Sequence, residues 1–238
     1  MTLARDGLRE IVWLTLVLGP ATALLAVWFW PAAVATGLLW TGGLAFFRVP
    51  RPDIPSGPGL LVSPADGRVT DITPLEHEPN VGGPAVRVGV FLSVLDVHVN
   101  RVPCDATVVR TDYRPGAFLD ARDPRAGARN ESNSIVLAPD LPCAGPIVVR
   151  QIAGRIARRI VCRLAPGQRV RRGDLFGLIK FGSRVELIVP AHGGLEPAVR
   201  AGEQVRGGES VLLRPVAGQV QESRDGDSRK NQPAAAAV

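Results

Sequence analysis

The stretch Gly167-Gln168-Arg169-Val170-Arg171-Arg172-Gly173-Asp174 recurs later in the chain as Gly202-Glu203-Gln204-Val205-Arg206-Gly207-Gly208-Glu209. The shared pattern, G-x-x-V-x-x-G followed by an acid, predicts a strand, a tight turn and a strand, with the glycines at positive φ. Two further segments, Gly67-Arg68-Val69 and Gly154-Arg155-Ile156, are alike, and each begins an apolar run. The repeat therefore indicates a protein body that is built from short strands and tight turns.

The residues around the repeat contain many short apolar runs that end at glycine or proline. They predict strands over 60–63, 67–73, 85–92, 106–111, 134–138, 146–152, 155–163, 175–180 and 184–189. The segment 94–100 is left open between a strand end and an irregular loop, and no long stretch beyond residue 50 has the apolar period of a helix. We therefore expect a mainly β protein (a β-rich α+β fold), whose body is similar to the sandwich-hybrid barrels of biotinyl and lipoyl carriers.

An uncharged, apolar segment over 11–47 precedes this body and contains all four tryptophans. It is too long for one perpendicular span, since about 20 apolar residues cross a bilayer. Pro31 divides it, so we expect an N-terminal hydrophobic helical hairpin with helices at about 11–29 and 32–47. A single tilted span and a hairpin that lies within one leaflet are the alternatives.

Basic residues lie on both sides of the apolar segment, Arg5 and Arg9 before it and Arg48 and Arg51 after it. Because basic flanks stay on the cytoplasmic side, both ends of the hairpin are expected there. The expected location is the cell membrane, with the body on the cytoplasmic face. A cleavable signal peptide is disfavoured, because the apolar segment is too long and no small-residue cleavage site follows it.

Composition limits the partners of this protein. The formal net charge is +6, and all but two of the 28 basic residues are arginine. A basic surface fits nucleic acid, anionic lipid or an acidic substrate. No nucleic-acid-binding motif is present in the sequence, so an anionic membrane is favoured and nucleic acid is not expected. The three cysteines form no CxxC pair, which argues against a disulfide framework and a zinc site, and no metal is expected.

Three regions follow from these patterns. Residues 1–50 are expected to anchor the chain to a membrane, and 51–216 are expected to form the body, which begins with the proline-rich linker 51–59. Residues 217–238 are mostly polar and end in a run of alanines, which predicts a disordered tail.

The dipeptide Gly182-Ser183 concentrates the chemistry of the chain, because a serine hydroxyl can add to the preceding carbonyl and glycine has no Cβ to block that addition. Such a hydroxyl needs a base, which is most often histidine. The chain has three histidines: His77 and His192 lie in turn-like sequences, and His98 lies in an apolar run beside Asp96. Asp66 precedes a glycine at a strand entry, where it is either a turn former or a partner of a catalytic group.

Five motifs occur in an order that resembles the phosphatidylserine decarboxylase family, in its short, archaeal-type form. Together they extend over most of residues 50–215, and the ordered set is far more specific than any single motif. The motifs are Ser63-Pro64-Ala65-Asp66-Gly67-Arg68-Val69, Phe91-Leu92-Ser93-Val94-Leu95-Asp96-Val97-His98-Val99-Asn100-Arg101-Val102-Pro103, Tyr113-Arg114-Pro115-Gly116-Ala117-Phe118, Gln151-Ile152-Ala153-Gly154 with Ala157-Arg158-Arg159-Ile160, and Phe181-Gly182-Ser183.

The resemblance implies a proenzyme that cuts itself between Gly182 and Ser183, into a β chain of residues 1–182 and an α chain of residues 183–238. Ser183 then becomes a covalent pyruvoyl group, which forms a Schiff base with the amine of phosphatidylserine and accepts the electrons of decarboxylation. The products are phosphatidylethanolamine and carbon dioxide, made in phospholipid biosynthesis. His98 is expected to return a proton to the lipid, and Asp66 matches the catalytic aspartate of the family.

The resemblance also implies a substrate-binding set, which consists of Tyr113, Phe118, Arg158 and Arg159. An arginine suits a lipid phosphate or the departing carboxylate, although a solvated strand face explains the arginine pair equally well. The β and α chains of one precursor are expected to stay associated, and a homodimer is left open.

One position departs from the long form of the family, which has D-x-H-x-x-H before the proline. Asp96 and His98 match the start of this pattern, but Arg101 stands in place of the second histidine. In the long form, that histidine joins an Asp-His-Ser set for self-cleavage. The base for Ser183 is therefore open: either His98 serves both steps, or His192 replaces the missing histidine.

Two other functions fit parts of the sequence. A carrier or binding module with a membrane anchor would contain the glycine-valine repeat, but Lys180 precedes Phe181-Gly182-Ser183 instead of standing at a hairpin tip. A membrane-associated serine protease that uses Ser183 would lack the Gly-x-Ser-x-Gly elbow. Both alternatives predict a chain that stays intact at residue 182.

Overall fold

The computed structural model describes residues 2–3, 7–93, 96–140, 145–155, 159–179 and 182–216. Over these ranges the protein is mainly β with an N-terminal helical hairpin, as the sequence predicts. The predicted tail 217–238 and the candidate residues Arg158 and Lys180 lie outside the described residues.

The hairpin consists of α1 (Leu8–Trp28) and α2 (Trp30–Phe46). Strands β1 (Thr2–Leu3) and β2 (Arg48–Val49) pair antiparallel at its open end. The two helices meet at Phe29, whose extended backbone (φ −155°, ψ 82°) ends α1. Pro31 then lies in the first turn of α2, where a missing N–H leaves no helical bond unmade. The predicted pair of helices is confirmed, with the break just before the proline.

Small and polar residues hold the two helices together. Gly37 lies against Thr22, and Thr22 donates a 3.0 Å hydrogen bond to Thr36 across the hairpin. The indole of Trp40 donates to Thr15 at 3.2 Å. Close approach at small residues and hydrogen bonds between helices are typical of helix pairs in membranes. The helix α1 is long and apolar enough to cross a bilayer.

The body contains fourteen strands and one helical turn in the described ranges, and most of the predicted strands are confirmed. The predicted strand 155–163 is shorter than expected, and 99–101 is a strand. The elements are β3 (Leu61–Val62), β4 (Gly67–Glu78), β5 (Gly83–Leu92), β6 (Val99–Arg101), β7 (Ala106–Arg114), α3 (Ala126–Arg129), β8 (Ser132–Pro139), β9 (Ile147–Ile152), β10 (Ile160–Cys162), β11 (Arg169–Val170), β12 (Leu175–Ile179), β13 (Ser183–Pro190), β14 (Leu195–Pro197), β15 (Gln204–Val205) and β16 (Val211–Pro215).

These strands form one large antiparallel sheet and two small ones. The large sheet has eight strands in the order β11-β7-β8-β9-β13-β5-β4-β15, and the small sheets have the orders β10-β12-β6 and β14-β16-β3. One face of the large sheet carries the main apolar core, with fully buried side chains such as Val88, Leu137 and Leu187. Burial of this face supplies the main driving force for the fold.

The two copies of the repeat occupy the two edges of the large sheet, as β11 and β15. Each copy makes the same pair of backbone hydrogen bonds to the strand beside it. The bonds are Gly167 N to Val108 O and Val108 N to Gln168 O in one copy, and Gly202 N to Val69 O and Val69 N to Glu203 O in the other. The repeat glycines Gly167, Gly173, Gly202 and Gly208 have φ between 81° and 89°, as predicted.

The segments that receive the repeats are also alike. Ser63-Pro64-Ala65-Asp66-Gly67-Arg68-Val69 precedes and begins β4, and Val102-Pro103-Cys104-Asp105-Ala106-Thr107-Val108 precedes and begins β7. The carboxylate of Asp66 accepts the amide of Gly207, and the carboxylate of Asp105 accepts the amide of Arg172, both at 2.8 Å. The body therefore has an internal two-fold repeat, and Asp66 has a structural counterpart in Asp105.

Three connections join the large sheet to the small sheet β10-β12-β6, from β5 to β6, from β9 to β10 and from β12 to β13. Their described residues are 93 and 96–98, 153–155 and 159, and 182. Because β9 and β5 flank β13, while β10 and β6 flank β12, the three connections begin and end on neighbouring strands. We call this group of three segments the crossover seam.

The predicted linker 51–59 is attached to the body by hydrogen bonds. Arg101 donates to the carbonyl oxygen of Pro50 at 2.6 Å, and Arg172 donates to those of Pro55 and Gly57, both at 2.9 Å. Two guanidinium groups thus hold the chain between the hairpin and the body. They attach the end of the hairpin, residues 46–49, to the body, and we call these residues the hairpin base.

Candidate active site

Gly182 and Ser183 lie at the end of the central segment of the crossover seam. Ser183 begins β13, where it pairs with Leu92 of β5. Its side chain is fully buried, and its Oγ has no hydrogen-bond partner among the described residues. An unpaired buried hydroxyl costs about 1–3 kcal/mol, so the fold keeps a destabilised hydroxyl directly after the predicted scissile bond.

Gly182 has the backbone that only glycine adopts without strain. Its φ is +61°, in the left-handed region, and the space beside its Cα is empty. The requirement for glycine at this position is therefore conformational and does not come from crowding. Crowding occurs instead around the carbonyl oxygen of Gly182, because a Cβ on Gly154 would collide with this oxygen.

His98 reaches Gly182 from the neighbouring segment of the seam. The amide of Ile179 donates to the carbonyl oxygen of His98 at 3.2 Å, which fixes the backbone of His98 beside the end of β12. The imidazole Nε2 then lies 3.3 Å from the amide nitrogen of Gly182, and Nδ1 lies 2.8 Å from the carbonyl oxygen of Asp96. The Gly182 amide can only donate, so Nε2 is the acceptor and Nδ1 carries the proton.

The imidazole of His98 is kept in its neutral form. Its side chain is 3% exposed, and burial lowers the pKa of His98 below its usual value. The positive charge of Arg48 lowers the pKa of His98 further, while the carbonyl and the charge of Asp96 act against this. A neutral imidazole with an unprotonated Nε2 is the form that a general base requires.

Asp66 lies near the seam but not at the scissile bond. Asp66 directly precedes Gly67, the first residue of β4, and the next residue of β4, Arg68, pairs with Phe91 of β5. Ser183 lies on β13, on the other side of β5. Two strand spacings put Asp66 about 10 Å from Ser183. Burial raises the pKa of Asp66, and the charge of Asp96 adds to the effect. The carboxylate accepts the Gly207 amide and lines a cleft of about 190 Å³ beside Val97.

The alternative base, His192, lies far from Ser183. It follows Pro190 at the opposite end of β13 from Ser183, and the length of this strand separates the two by roughly 20 Å. His77 is exposed on β4 near the turn to β5, at that same end of the sheet. Of the three histidines, all of which the structure describes, His98 is the one that contacts Gly182.

Arg101, which replaces the second histidine of the long form, has a structural task. Its guanidinium is buried and donates to the carbonyl oxygens of Gly173 at 2.8 Å and Pro50 at 2.6 Å. These bonds connect Pro50, the residue before the linker, to Gly173 in the first copy of the repeat. Arg101 is therefore occupied in holding the hairpin base to the body.

Three of the predicted substrate-binding residues, Tyr113, Phe118 and Arg159, are described, and they lie on different parts of the body. Tyr113 is exposed on β7, and two strands lie between it and β13, which is about 14 Å. Desolvation raises the pKa of Tyr113, and a hydrogen bond to Glu131 adds to this. Phe118 is half-buried between β7 and α3, and Arg159 is exposed on the seam segment that leads into β10. Arg159 precedes Ile160, which pairs with Ile179, so it lies beside the end of β12, whereas Tyr113 lies at a distance.

Sequence reasoning missed the residues that cover the seam. The side chain of Asn130 bonds to the amide and carbonyl of Leu119 and to the carbonyl of Ala153. These bonds hold the segment 115–131 over residues 153–154, where Ala121 contacts the Cβ position of Gly154. Nothing in the sequence around Asn130 distinguishes it from a loop asparagine, because its partners come from two other parts of the chain.

Sequence reasoning also missed a buried charge network behind the site. Glu186 is fully buried on β13, within 3.0 Å of Arg184, 3.3 Å of Arg150 and 3.7 Å of Arg87. Arg184 also pairs with Asp71 at 2.7 Å. The network fixes the residue that follows Ser183, because a buried charge needs its partners in place.

Gly154→Ala is expected to slow self-cleavage strongly and to destabilise the fold by about 1–3 kcal/mol, because the new methyl group displaces the Gly182 carbonyl. The conversion of full-length chain into two fragments on a denaturing gel, followed over time, measures the rate, and a thermal melt measures the stability. Gly83→Ala is the matched control, since its Cβ would enter open space on β5. Cleavage of Gly154→Ala at the unsubstituted rate would contradict the close packing of this carbonyl.

Comparison with known proteins gives a consistent result. A sequence model of the family described as phosphatidylserine decarboxylase matches residues 44–213. The chain is similar to proteins named phosphatidylserine decarboxylase proenzyme from Rhodopirellula baltica (43% identical over 213 residues, 88% of this chain and 87% of that protein) and Granulibacter bethesdensis (41% over 201 residues, 83% and 81%). The proenzyme of Syntrophus aciditrophicus is 40% identical over 215 residues, which cover 88% of this chain and 96% of that protein.

Proposed function

The chain belongs to the phosphatidylserine decarboxylase family, and we propose that it is a self-cleaving proenzyme whose Ser183 becomes the pyruvoyl group that decarboxylates phosphatidylserine. One observation carries the proposal: the buried Oγ of Ser183, which has no hydrogen-bond partner in the part of the chain that the structure describes, directly follows a glycine at φ +61°, whose amide donates to a neutral histidine. The non-catalytic carrier is disfavoured, because the chain matches decarboxylase proenzymes over most of its length.

Maturation begins when the Oγ of Ser183 adds to the carbonyl carbon of Gly182. The C–N bond between the two residues breaks, the nitrogen of Ser183 takes up a proton, and an ester joins the two chains. Loss of the Cα proton and cleavage of the Cβ–Oγ bond then leave a carboxylate on Gly182 and dehydroalanine at 183. Tautomerisation and addition of water release ammonia and leave the ketone. Each step uses only this chain and one water.

His98 is the base that we assign to both reactions. Its Nε2 lies 3.3 Å from the nitrogen of Gly182, the residue before the bond that breaks, and it takes the Oγ proton of Ser183 when the serine side chain turns toward it and the Gly182 amide gives up its hydrogen bond. The site fits a pyruvoyl group, because the side chain of Ser183 is fully buried and follows Gly182, whose amide contacts this imidazole. The ketone supplies an electron sink for the carbanion left by decarboxylation. The same imidazole then delivers a proton to the lipid Cα.

The two chains remain together after the cut. The α chain of residues 183–238 begins with β13, which lies in the middle of the large sheet between β9 and β5 of the β chain. The pairing on both sides of β13 covers most of its length, from Ser183 to Pro190 with β5 and from Arg184 to Ile188 with β9. Separation would expose two strand edges and the apolar core, so the cut leaves the fold intact.

The hairpin is proposed to anchor the enzyme to an anionic membrane, with the body on the cytoplasmic face. Support comes from the apolar α1, from large exposed side chains such as Trp13, Leu16 and Leu24, and from the basic residues that follow α2. Burial of this apolar surface in lipid is favourable, and basic flanks favour the cytoplasmic side. In this division, residues 1–50 anchor the enzyme and 51–216 carry out the reaction on a lipid at the interface.

Mass spectrometry of the purified protein tests the proposal directly. We expect a β chain that ends at Gly182 and an α chain that begins at residue 183 and is lighter than its encoded sequence by one ammonia. Treatment with borohydride should then abolish decarboxylation, because it reduces the ketone. An intact chain with a free serine at 183 would support the carrier or the protease instead, and activity that survives borohydride would exclude the pyruvoyl group.

A further inference from the structure

The last residue of the hairpin contacts the proposed catalytic histidine. Phe46 ends α2, and its ring centroid lies 4.4 Å from the centroid of the His98 imidazole, with the two planes inclined by 38°. This distance is within the range for direct contact between aromatic rings. The segment predicted to be a membrane anchor therefore also forms one wall of the candidate active site.

The ring of Phe46 is itself held in place. It packs edge-on against Phe47, with centroids 5.0 Å apart, and Phe47 is buried against Gly7 at the start of α1. The base of both helices thus supports the ring, and the contact does not depend on one mobile side chain.

The hairpin base is also docked on the small sheet that carries His98. Val49 of β2 packs against a buried cluster of Val97, Val99 and Leu178, which comes from the segment 97–99 and from β12. The bond from Arg101 to the Pro50 carbonyl attaches the next residue of the chain. His98 lies between Val97 and Val99 of this cluster in the chain. A shift of the hairpin base would therefore move the residues that surround the imidazole.

We propose that Phe46 is a positioning residue of the reaction: its ring holds the imidazole of His98 with Nε2 toward Gly182, which makes the end of the membrane hairpin a part of the active site. The inference rests on the proposed function, since it assigns His98 as the base. Because the imidazole is bonded at its edge by the Asp96 carbonyl and the Gly182 amide, the Phe46 ring, inclined by 38° to it, restricts the remaining rotation.

The contact has a second effect, because the ring keeps water from the imidazole. The charged groups that face His98 are Asp96 from its own segment and Arg48 from the residues after α2. Without the ring, solvent would reach the imidazole and the pKa of His98 would rise toward its usual value. The protonated form would then persist to higher pH, so the acidic limb of the cleavage profile should move upward.

The test follows self-cleavage of freshly synthesised full-length chain in detergent between pH 5 and pH 8, for Phe46→Ala, Phe46→Leu and Phe46→Tyr. We expect Phe46→Ala to slow cleavage on the order of tenfold, as a small misplacement of a catalytic group does, and to shift its acidic limb to higher pH. Phe46→Leu keeps the apolar bulk without the flat ring and should fall between, and Phe46→Tyr should restore both the rate and the pH profile.

Leu38→Ala is the matched control, because Leu38 is exposed on the same helix and far from its end. It should leave the rate and the pH profile unchanged. Flotation with vesicles that contain phosphatidylserine should give equal membrane binding for Leu38→Ala and Phe46→Ala, which separates a loss of anchoring from a loss of positioning.

Two results would overturn the inference. One is an unchanged rate and pH profile for the Phe46→Ala and Phe46→Leu variants, and the other is a Phe46→Ala variant that differs from the unsubstituted chain in vesicle binding alone. Failure of the unsubstituted chain to cleave would instead contradict the proposed function, so the two hypotheses are tested separately.

Discussion

Ser183→Ala is expected to leave the full-length chain uncut and without decarboxylase activity, because no other atom replaces the Oγ that adds to the Gly182 carbonyl. The same substitution should keep or raise the free energy of unfolding. It removes a buried hydroxyl that has no hydrogen-bond partner among the described residues, which costs about 1–3 kcal/mol. Loss of function with no loss of stability is the combination that identifies a reactive group and not a structural one.

A denaturing gel and a thermal melt of the same preparation measure both effects. Ser132→Ala is the matched control, since Ser132 is also a buried serine that begins a strand. That variant should cut at the normal rate. Cleavage of Ser183→Ala at residue 182, or a large fall in its melting temperature, would refute the assigned role of Ser183.

His98→Asn is expected to slow self-cleavage by a factor on the order of 10²–10⁴, the usual contribution of a general base. The pH dependence follows from the direction of the pKa shift. Burial lowers the pKa of His98 below 6.5, so the imidazole is neutral at pH 7 and the cleavage rate should be constant there. As the pH falls through the lowered pKa, Nε2 is protonated, the base is lost, and the rate should fall.

A pH–rate profile of the precursor measures this limb, and His98→Asn should remove it together with most of the rate. His192→Asn is the control, because His192 lies at the other end of β13. We expect it to cleave normally. A normal cleavage rate for His98→Asn, combined with a slow rate for His192→Asn, would contradict the assignment of His98 as the base.

The sequence predicts the helices and strands of this protein well, but it does not predict which of them lie next to one another. The apolar run and Pro31 determine the hairpin, and the glycines of the repeat have the positive φ that their pattern requires. Two-residue strands such as β11 and β15 were recognised through this repeat, because strands so short have no apolar period of their own. The second half of the internal repeat, around Asp105, has a different sequence and emerges only from the matching hydrogen bonds.

The sequence by itself determined what depends on chain neighbours: a hydrophobic hairpin, a strand-rich body, and a serine that follows a glycine able to turn left-handed. The family resemblance added His98 as a candidate. Only the tertiary structure decided which groups meet at that serine, because the three seam segments come from distant parts of the chain and are joined by sheet order. It brought His98 to Gly182, separated 84 positions from it, set Gly154 behind the carbonyl, and placed Phe46 on the imidazole. Such contacts arise from packing and pairing between strands, and no local pattern of residues encodes them.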